Sequence, residues 1–136
     1  MSRDGRDIPF SGAIRPVLID TTQLALEQAM AGASQRQTAL ANNLANAETP
    51  GYQRVDVDFH GALQAALGSG EAKQRLQSLA FSPQADGSVG AVRADGSTVD
   101  VDAESAKLAA NGLEYQAAVQ VAHSRIDILR TALGVK

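Results

Sequence analysis

The chain has 136 residues, 12 Lys plus Arg against 15 Asp plus Glu, no Cys and no Trp, and aromatic residues make up only 4% of it. That length suits one domain rather than a multidomain enzyme, and a formal charge of −3 offers no basic surface for a nucleic-acid backbone or anionic lipid. Without Cys the sequence supplies no disulfide, thiolate nucleophile or Cys-ligated metal, and since Ala carries much of the 44% hydrophobic content, a thin core is expected.

At the amino terminus, Met1-Ser2-Arg3-Asp4-Gly5-Arg6-Asp7-Ile8-Pro9-Phe10 places charges and a Pro where a secretory signal would need an apolar stretch, so no cleaved signal is expected. No run approaches the ~18 apolar residues of a bilayer span. From Ile19 a heptad stripe then begins: Ile19, Leu26, Met30, Ala33, Leu40, Leu44 and Ala47, with Gln23 and Gln37 in the remaining slots. Asp20-Thr21-Thr22 are good capping residues, and Asn46, Thr49-Pro50 and Gly51 end the pattern, which predicts a helix from about Asp20 to Ala47.

The middle reads differently. Tyr52 to Phe59 alternates, with Tyr52, Arg54, Asp56 and Asp58 on one face and Gln53, Val55, Val57 and Phe59 on the other, the pattern of a strand with one apolar side. His60 to Leu67 and Glu71 to Leu79 are short helical candidates separated by Gly68-Ser69-Gly70. Asp86-Gly87 and Asp95-Gly96 flank Val89 to Arg93, and Thr98 to Val101 alternates again, which predicts a small hairpin in a mobile or edge-rich patch of strands.

A second stripe, Leu108, Gly112, Tyr115, Val119, Ala122, Ile126, Leu129 and Leu133, spaced alternately by four and three, covers the rest of the chain. Asp102 and Glu104 are expected to serve the free N–H groups at its start, and Gly134 to end it. Each helix would run to about 28–32 residues, roughly 42–48 Å, more than the core of a small domain can cover. The expectation is a mainly α fold in which the long terminal helices form a coiled pair and the middle is small and extended or β-containing. Residues 1–19 read as a flexible export-associated segment, 20–51 with 102–136 as the coiled-helix core, and 52–101 as the middle segment. An ordinary helical hairpin that completes one small domain by itself is the alternative.

Polar residues on or beside the stripes carry information. Gln23, Gln37, Asn43 and Asn111 either fix register through paired contacts or face water. The Ala flanks, Ala25, Ala29, Ala39, Ala41, Ala117 and Ala118, would admit close neighbours. Val55-Asp56-Val57-Asp58 and Val99-Asp100-Val101-Asp102 could gather carboxylates for a hard cation if they were adjacent strands, but a solvated polar face with helix capping explains them without one. His60 and His123 are far apart in sequence, no nucleophile elbow or phosphate-cradling loop is present, and neither an enzyme nor a cofactor is expected.

The run Leu40-Ala41-Asn42-Asn43-Leu44-Ala45-Asn46-Ala47-Glu48-Thr49-Pro50-Gly51-Tyr52 closely resembles the amino-terminal signature of the axial proteins of the bacterial flagellum, in which a helix ends in an Asn-rich turn and Thr-Pro-Gly-Tyr. The family motif falls on Asn42, Asn46, Thr49, Pro50, Gly51 and Tyr52. With Gln53 to Phe59, Val99 to Glu104, Leu108 to Asn111 and Tyr115-Gln116-Ala117, most of the chain is similar to the FlgB family of basal-body rod proteins; the sister rod protein FlgC is the competing reading. The resemblance implies a structural subunit of the proximal rod, exported through the flagellar type III apparatus and stacked with other rod proteins (FlgC, FlgF, FlgG), FliE and the inner-membrane MS ring. It implies helix pairing and assembly through Leu26, Met30, Leu40, Asn43, Leu44, Asn111, Tyr115, Val119, Ile126 and Leu129; Phe10 and Ile14 have the Phe-x-x-x-apolar form of an export-gate motif, with an ordinary hydrophobic contact ahead of the helix as the alternative. A non-polymerising secreted binding module or export adaptor is the rival from another class.

Overall fold

The computed structural model describes residues 20–86 and 92–134. Phe10, Ile14, Ile19 and most of the first arm of the expected hairpin lie outside the described residues. Helix α1 spans Thr21–Ala45, and Asp20 caps it as expected, its Oδ1 accepting the Gln23 N–H at 2.9 Å. Strand β1 (Val55–Asp56), α2 (Phe59–Leu67), α3 (Ala72–Gln77) and β2 (Gln84–Ala85) follow, and α4 (Val101–Ala132) closes the chain. At 25 and 32 residues the terminal helices are about 37 and 48 Å long.

The cap of α4 is Asp100, whose Oδ1 accepts from the amides of Asp102 and Ala103 at 3.0 and 3.1 Å. Of the two carboxylates expected at this helix start, Asp102 lies in the exposed first turn while Glu104 is turned inward, 1% exposed. Gly134, at φ +67°, sits just past the carboxyl end in the left-handed region that terminates helices. α1 and α4 pack antiparallel: Asn43 meets Glu104, Ala33 and Gln37 meet Asn111, and Asp20 meets Arg125.

The middle segment is no loose patch of strands. It folds onto α1, which packs against α4 and against β1, α2 and α3, and it reaches α4 itself through Arg54–Glu104 and His60–Glu114. Two small clusters do this work. Ala33 and Ala39 of α1 pack with Val57 and Phe59, and Leu24 packs with Ala66 and Leu76. The Ala residues of α1 that looked free to admit neighbours are partly consumed here, Ala39 being buried and Ala25 packing beside Leu76. Burying Leu40 and Leu76 fully contributes on the order of 1.5–3 kcal/mol each.

Extended structure is shorter than the alternation implies. Only Val55 and Asp56 join a ladder, antiparallel to Ala85 and Gln84, and Phe59 already belongs to α2, where Asp58 caps Gly61. Val99 to Asp102 is not a second strand: Val101 is the first residue of α4. β1 takes Gln84–Ala85 as its partner.

Phe59 lies against α1 at Gly32, where an added Cβ would come within 2.5 Å of the Phe59 Cβ. Gly32→Ala is therefore expected to lower the thermal midpoint, overpacking of about 1–3 kcal/mol outweighing the roughly 1 kcal/mol helix preference of Ala. Gly112, in α4 with nothing within 4 Å of its added Cβ, should behave oppositely, Gly112→Ala raising the midpoint of the isolated chain. Circular-dichroism melting of both variants checks the pair.

Candidate functional site

Where α1 ends, its last turn and the loop beyond it are built from the Asn-rich motif. The Asn46 N–H is shared by the carbonyls of Asn42 and Asn43, and Asn46 Nδ2 returns to Asn42 O at 2.8 Å. Successive turns follow, the Thr49 N–H donating to Asn46 O and the Tyr52 N–H to Thr49 O. Gly51 takes φ +72°, and its N–H reaches Asp95 O at 3.0 Å. Gly96 stands so close behind that its Cβ, if it had one, would meet the Gly51 Cα at 3.5 Å. Thr49, Pro50 and Gly51 remain exposed, and Tyr52 is half-buried.

Asn43 is the clasp. Fully buried, it donates from Nδ2 to Val55 O and to Glu104 Oε2, each at 2.7 Å, while its Oδ1 accepts from the Val55 N–H at 3.0 Å and the Tyr52 hydroxyl at 3.3 Å. One carboxamide thus ties α1, β1 and the start of α4 together, with all of its hydrogen-bonding capacity used. Next to it lies Arg54, whose side chain is 5% exposed and whose Nε donates to Glu104 Oε1 at 2.9 Å. Arg54 also pairs with Asp86 and, at 3.5 Å, with Asp56. Asp56 in turn receives Arg36 through two bonds of 2.8 and 3.2 Å, and Lys107 approaches Glu104 at 3.5 Å. Three cations thus face three carboxylates across the junction, in keeping with the cost of burying an unpaired charge.

Electrostatics here follow the geometry. Burial pushes the Asp56 carboxyl up, but the bonds from Arg36 and the Val57 amide outweigh it and hold the group below the ordinary carboxylate range. Arg36 is held above its ordinary value chiefly by its bond to Asp56. Asp20 is lowered first by the Gln23 amide, against the opposing effect of burial, and then by Arg125. A carboxyl depressed in the folded state contributes stability that is complete above its unfolded pKa, about 3.9, and is lost as pH falls through the folded value. The melting midpoint is therefore expected to hold through neutral pH and to fall below about pH 4, and Asp56→Asn should flatten that acid limb. Midpoints measured from pH 7 to pH 2 test this.

The residues expected on the helix seam are placed unevenly. Leu40, Asn43 and Asn111 are buried; Leu26, Met30, Leu44, Val119 and Leu129 are half-buried; Tyr115 and Ile126 are 41% and 45% exposed. On α4 the covered face takes in Leu108 and Ala122 of the apolar stripe and, beside them, Glu104, Asn111, Ala118 and Arg125. Gln23 is half-buried and bonds Glu27, whereas Gln37 accepts from Asn111. The repeated Val-Asp stretches do not converge: Asp56 serves Arg36 and Arg54, Asp58 and Asp100 cap helices, and Asp102 sits exposed in the first turn of α4. His60 meets Glu114 at the surface at 3.4 Å, and His123 is exposed on α4. Arg54, Glu104 and Arg36 were missed as functional positions. A signal existed: Arg36 and Asn43 are seven residues apart, as are Glu104 and Asn111, so polar residues repeat at heptad spacing along the inner faces.

The Asn-rich end of α1 is also where a known family matches. The family model described as "Flagella basal body rod protein" matches residues 24–53, from Leu24 in α1 through the Asn-rich turn. A flagellar basal body rod protein FlgB of Aeromonas hydrophila is 34% identical over 116 residues, which cover 79% of this chain and 88% of that protein. The chain belongs to the FlgB family. FlgB of Bacillus subtilis (strain 168) is 33% identical over 116 residues, 79% of this chain and 89% of its own, and FlgB of Escherichia coli (strain K12) is 31% identical over 115 residues, 74% and 83%. As a FlgB-family protein the chain is a structural subunit of the flagellar basal-body rod, serving motility in company with other rod proteins rather than catalysing a reaction. Among the described residues no helix is long and apolar enough to cross a membrane.

Proposed function

We propose that the chain builds the proximal part of the rod, the drive shaft that also encloses the export channel, with its antiparallel α1/α4 pair as the packing unit. Membership of the FlgB family supports this, and the observation that carries it is the unpaired apolar surface of α4. Leu113, Val121 and Ile128, at separations of eight and seven residues, are 67%, 54% and 68% exposed, with Ile126 and Leu133 exposed near the carboxyl end. An apolar band of this kind on a small chain marks an interaction surface. Neighbouring subunits cover it, and Leu26, Met30, Leu40, Asn43, Leu44, Asn111, Tyr115, Val119, Ile126 and Leu129 hold or extend the helix pair that presents it. The partners are FlgC, FlgF, FlgG and FliE, with the MS ring below, and the chain reaches the periplasm-spanning rod through the type III export gate. Residues 1–19, with Phe10 and Ile14, engage that gate; residues 20–51 and 102–136 form the rod core, and 52–101 the appended middle.

Val121→Asp combined with Ile128→Asp tests the reading. Both positions are exposed, so the isolated chain should melt within roughly 1 kcal/mol of the original. Rods and swimming should be lost while export of the chain persists. Normal swimming would overturn the proposal, and loss of export of other flagellar substrates would favour the adaptor reading.

A further inference from the structure

Asn111 lies in the central part of α4 and is 2% exposed. Its Nδ2 donates to Ala33 O and to Gln37 Oε1, both at 2.8 Å, so both N–H bonds of the carboxamide are spent. The orientation is fixed by chemistry, because rotating the group would set its oxygen against the Ala33 carbonyl. The remaining oxygen, Oδ1, is enclosed and has no hydrogen-bond partner among the described residues. A buried acceptor left in this way is costly in a finished structure, and its need is for one N–H or O–H donor.

Beside Asn111 a hollow of about 370 Å³ opens between the two helices, with Ala33, Ser34 and Thr38 on the α1 wall and Gly112 and Gln116 on the α4 wall. Small side chains at Ala33, Ser34 and Gly112 let a further backbone come close, and the exposed Gln37 and Tyr115 stand at its rim. Resting on the assembly reading above, we propose that this groove receives a helix of a neighbouring rod subunit, which inserts one N–H-donating side chain, Asn, Gln, Lys or Arg, to bond Asn111 Oδ1. The polar residue in the middle of the pair then has two duties: inside the chain it sets the register of α4 on Ala33 and Gln37, and between chains it selects a partner that brings a donor to that level. This contact is separate from the apolar band of Leu113, Val121 and Ile128, which lacks a polar selector.

A photoactivatable crosslinker at Ser34, introduced into the full chain and illuminated in isolated basal bodies, reads the occupant directly. Peptide mapping is expected to return a helical segment of an adjacent rod subunit centred on Asn, Gln, Lys or Arg. An adduct to residues 1–19 of the same chain, to a segment with no donor, or to solvent alone would overturn the proposal. In a second experiment, each variant is expressed together with the original chain and the ratio of the two in basal bodies is measured. Asn111→Leu, which removes the acceptor, is expected to be under-represented about tenfold. Thr38→Trp, which fills the groove without touching the bonds of Asn111, should be under-represented to a similar degree while melting like the original in isolation. Equal incorporation of both variants defeats the groove proposal and leaves the rod reading standing, whereas absence of the original chain from basal bodies defeats both.

Discussion

Replacing Arg54 by Met is expected to cost about 3–5 kcal/mol, the range for breaking a buried ion pair by removing one partner. The guanidinium touches Glu104, Asp86 and Asp56 together, and Glu104, 1% exposed, would keep among the described residues Asn43 and a Lys107 ammonium at 3.5 Å. Against a total stability of roughly 5–15 kcal/mol, such a loss is enough to detach the start of α4 from β1. Urea unfolding of the isolated chain measures it. Combining Arg54→Met with Glu104→Leu should restore a large part of the stability, since a well-packed apolar pair is tolerated where a lone charge is not, and the double-mutant cycle should show a coupling of about 1–3 kcal/mol. A single variant that unfolds within about 1 kcal/mol of the original would show that the junction admits water and that the ion cluster is not closed.

Asn43→Leu has the second large expected effect, about 2–4 kcal/mol, because it strands several groups at once at about 1–3 kcal/mol for each one left without a partner, less relaxation. The Val55 N–H and carbonyl, the Tyr52 hydroxyl and Glu104 Oε2 all lose a partner. Asn43→Asp provides the finer measurement. It keeps the acceptor that serves Val55 N–H and Tyr52, but as a carboxylate it presents lone pairs to Val55 O and Glu104. Its protonated form restores one of the two donated bonds, so burial and these neighbours raise its pKa in the folded state. Stability of this variant should then be greatest at low pH and decline as pH rises through the raised value, opposite in sign to the acid loss expected from Asp56 and Asp20. A pH series of melting midpoints for the two chains distinguishes a hydrogen-bond clasp from a merely space-filling side chain. In cells, both Asn43 variants should be poorly incorporated into rods, since Asn43 ties the end of α1 to the start of α4.

Much of this molecule is written in short-range pattern. The extents of α1 and α4 could be read because caps at Asp20, the Asn46–Gly51 turn and Gly134 act within a few residues, and because apolar positions at three-and-four spacing specify a helix whatever lies beside it. The Asn-rich turn carried the family for the same reason: several of its bonds, Asn46 to Asn42, Thr49 to Asn46 and Tyr52 to Thr49, close over a few positions of the chain.

Tertiary structure alone decided which polar residues went inside. Arg54 and Asp56 alternate with Val as though on a wetted strand face, yet α4 brings Glu104 across 50 positions to cover Arg54. Nothing local distinguishes a carboxylate that will cap a helix, as at Asp100, from one that will be buried four residues later. The docking of the middle segment onto α1 was equally hidden, since the notch that Gly32 leaves for Phe59 is a matter of shape between two surfaces far apart in sequence. Periodicity along a chain reports which side of a helix is greasy; it does not report what will lie against that side, because burial free energy depends on the partner that arrives and on whether it brings the matching charge or hydrogen bond.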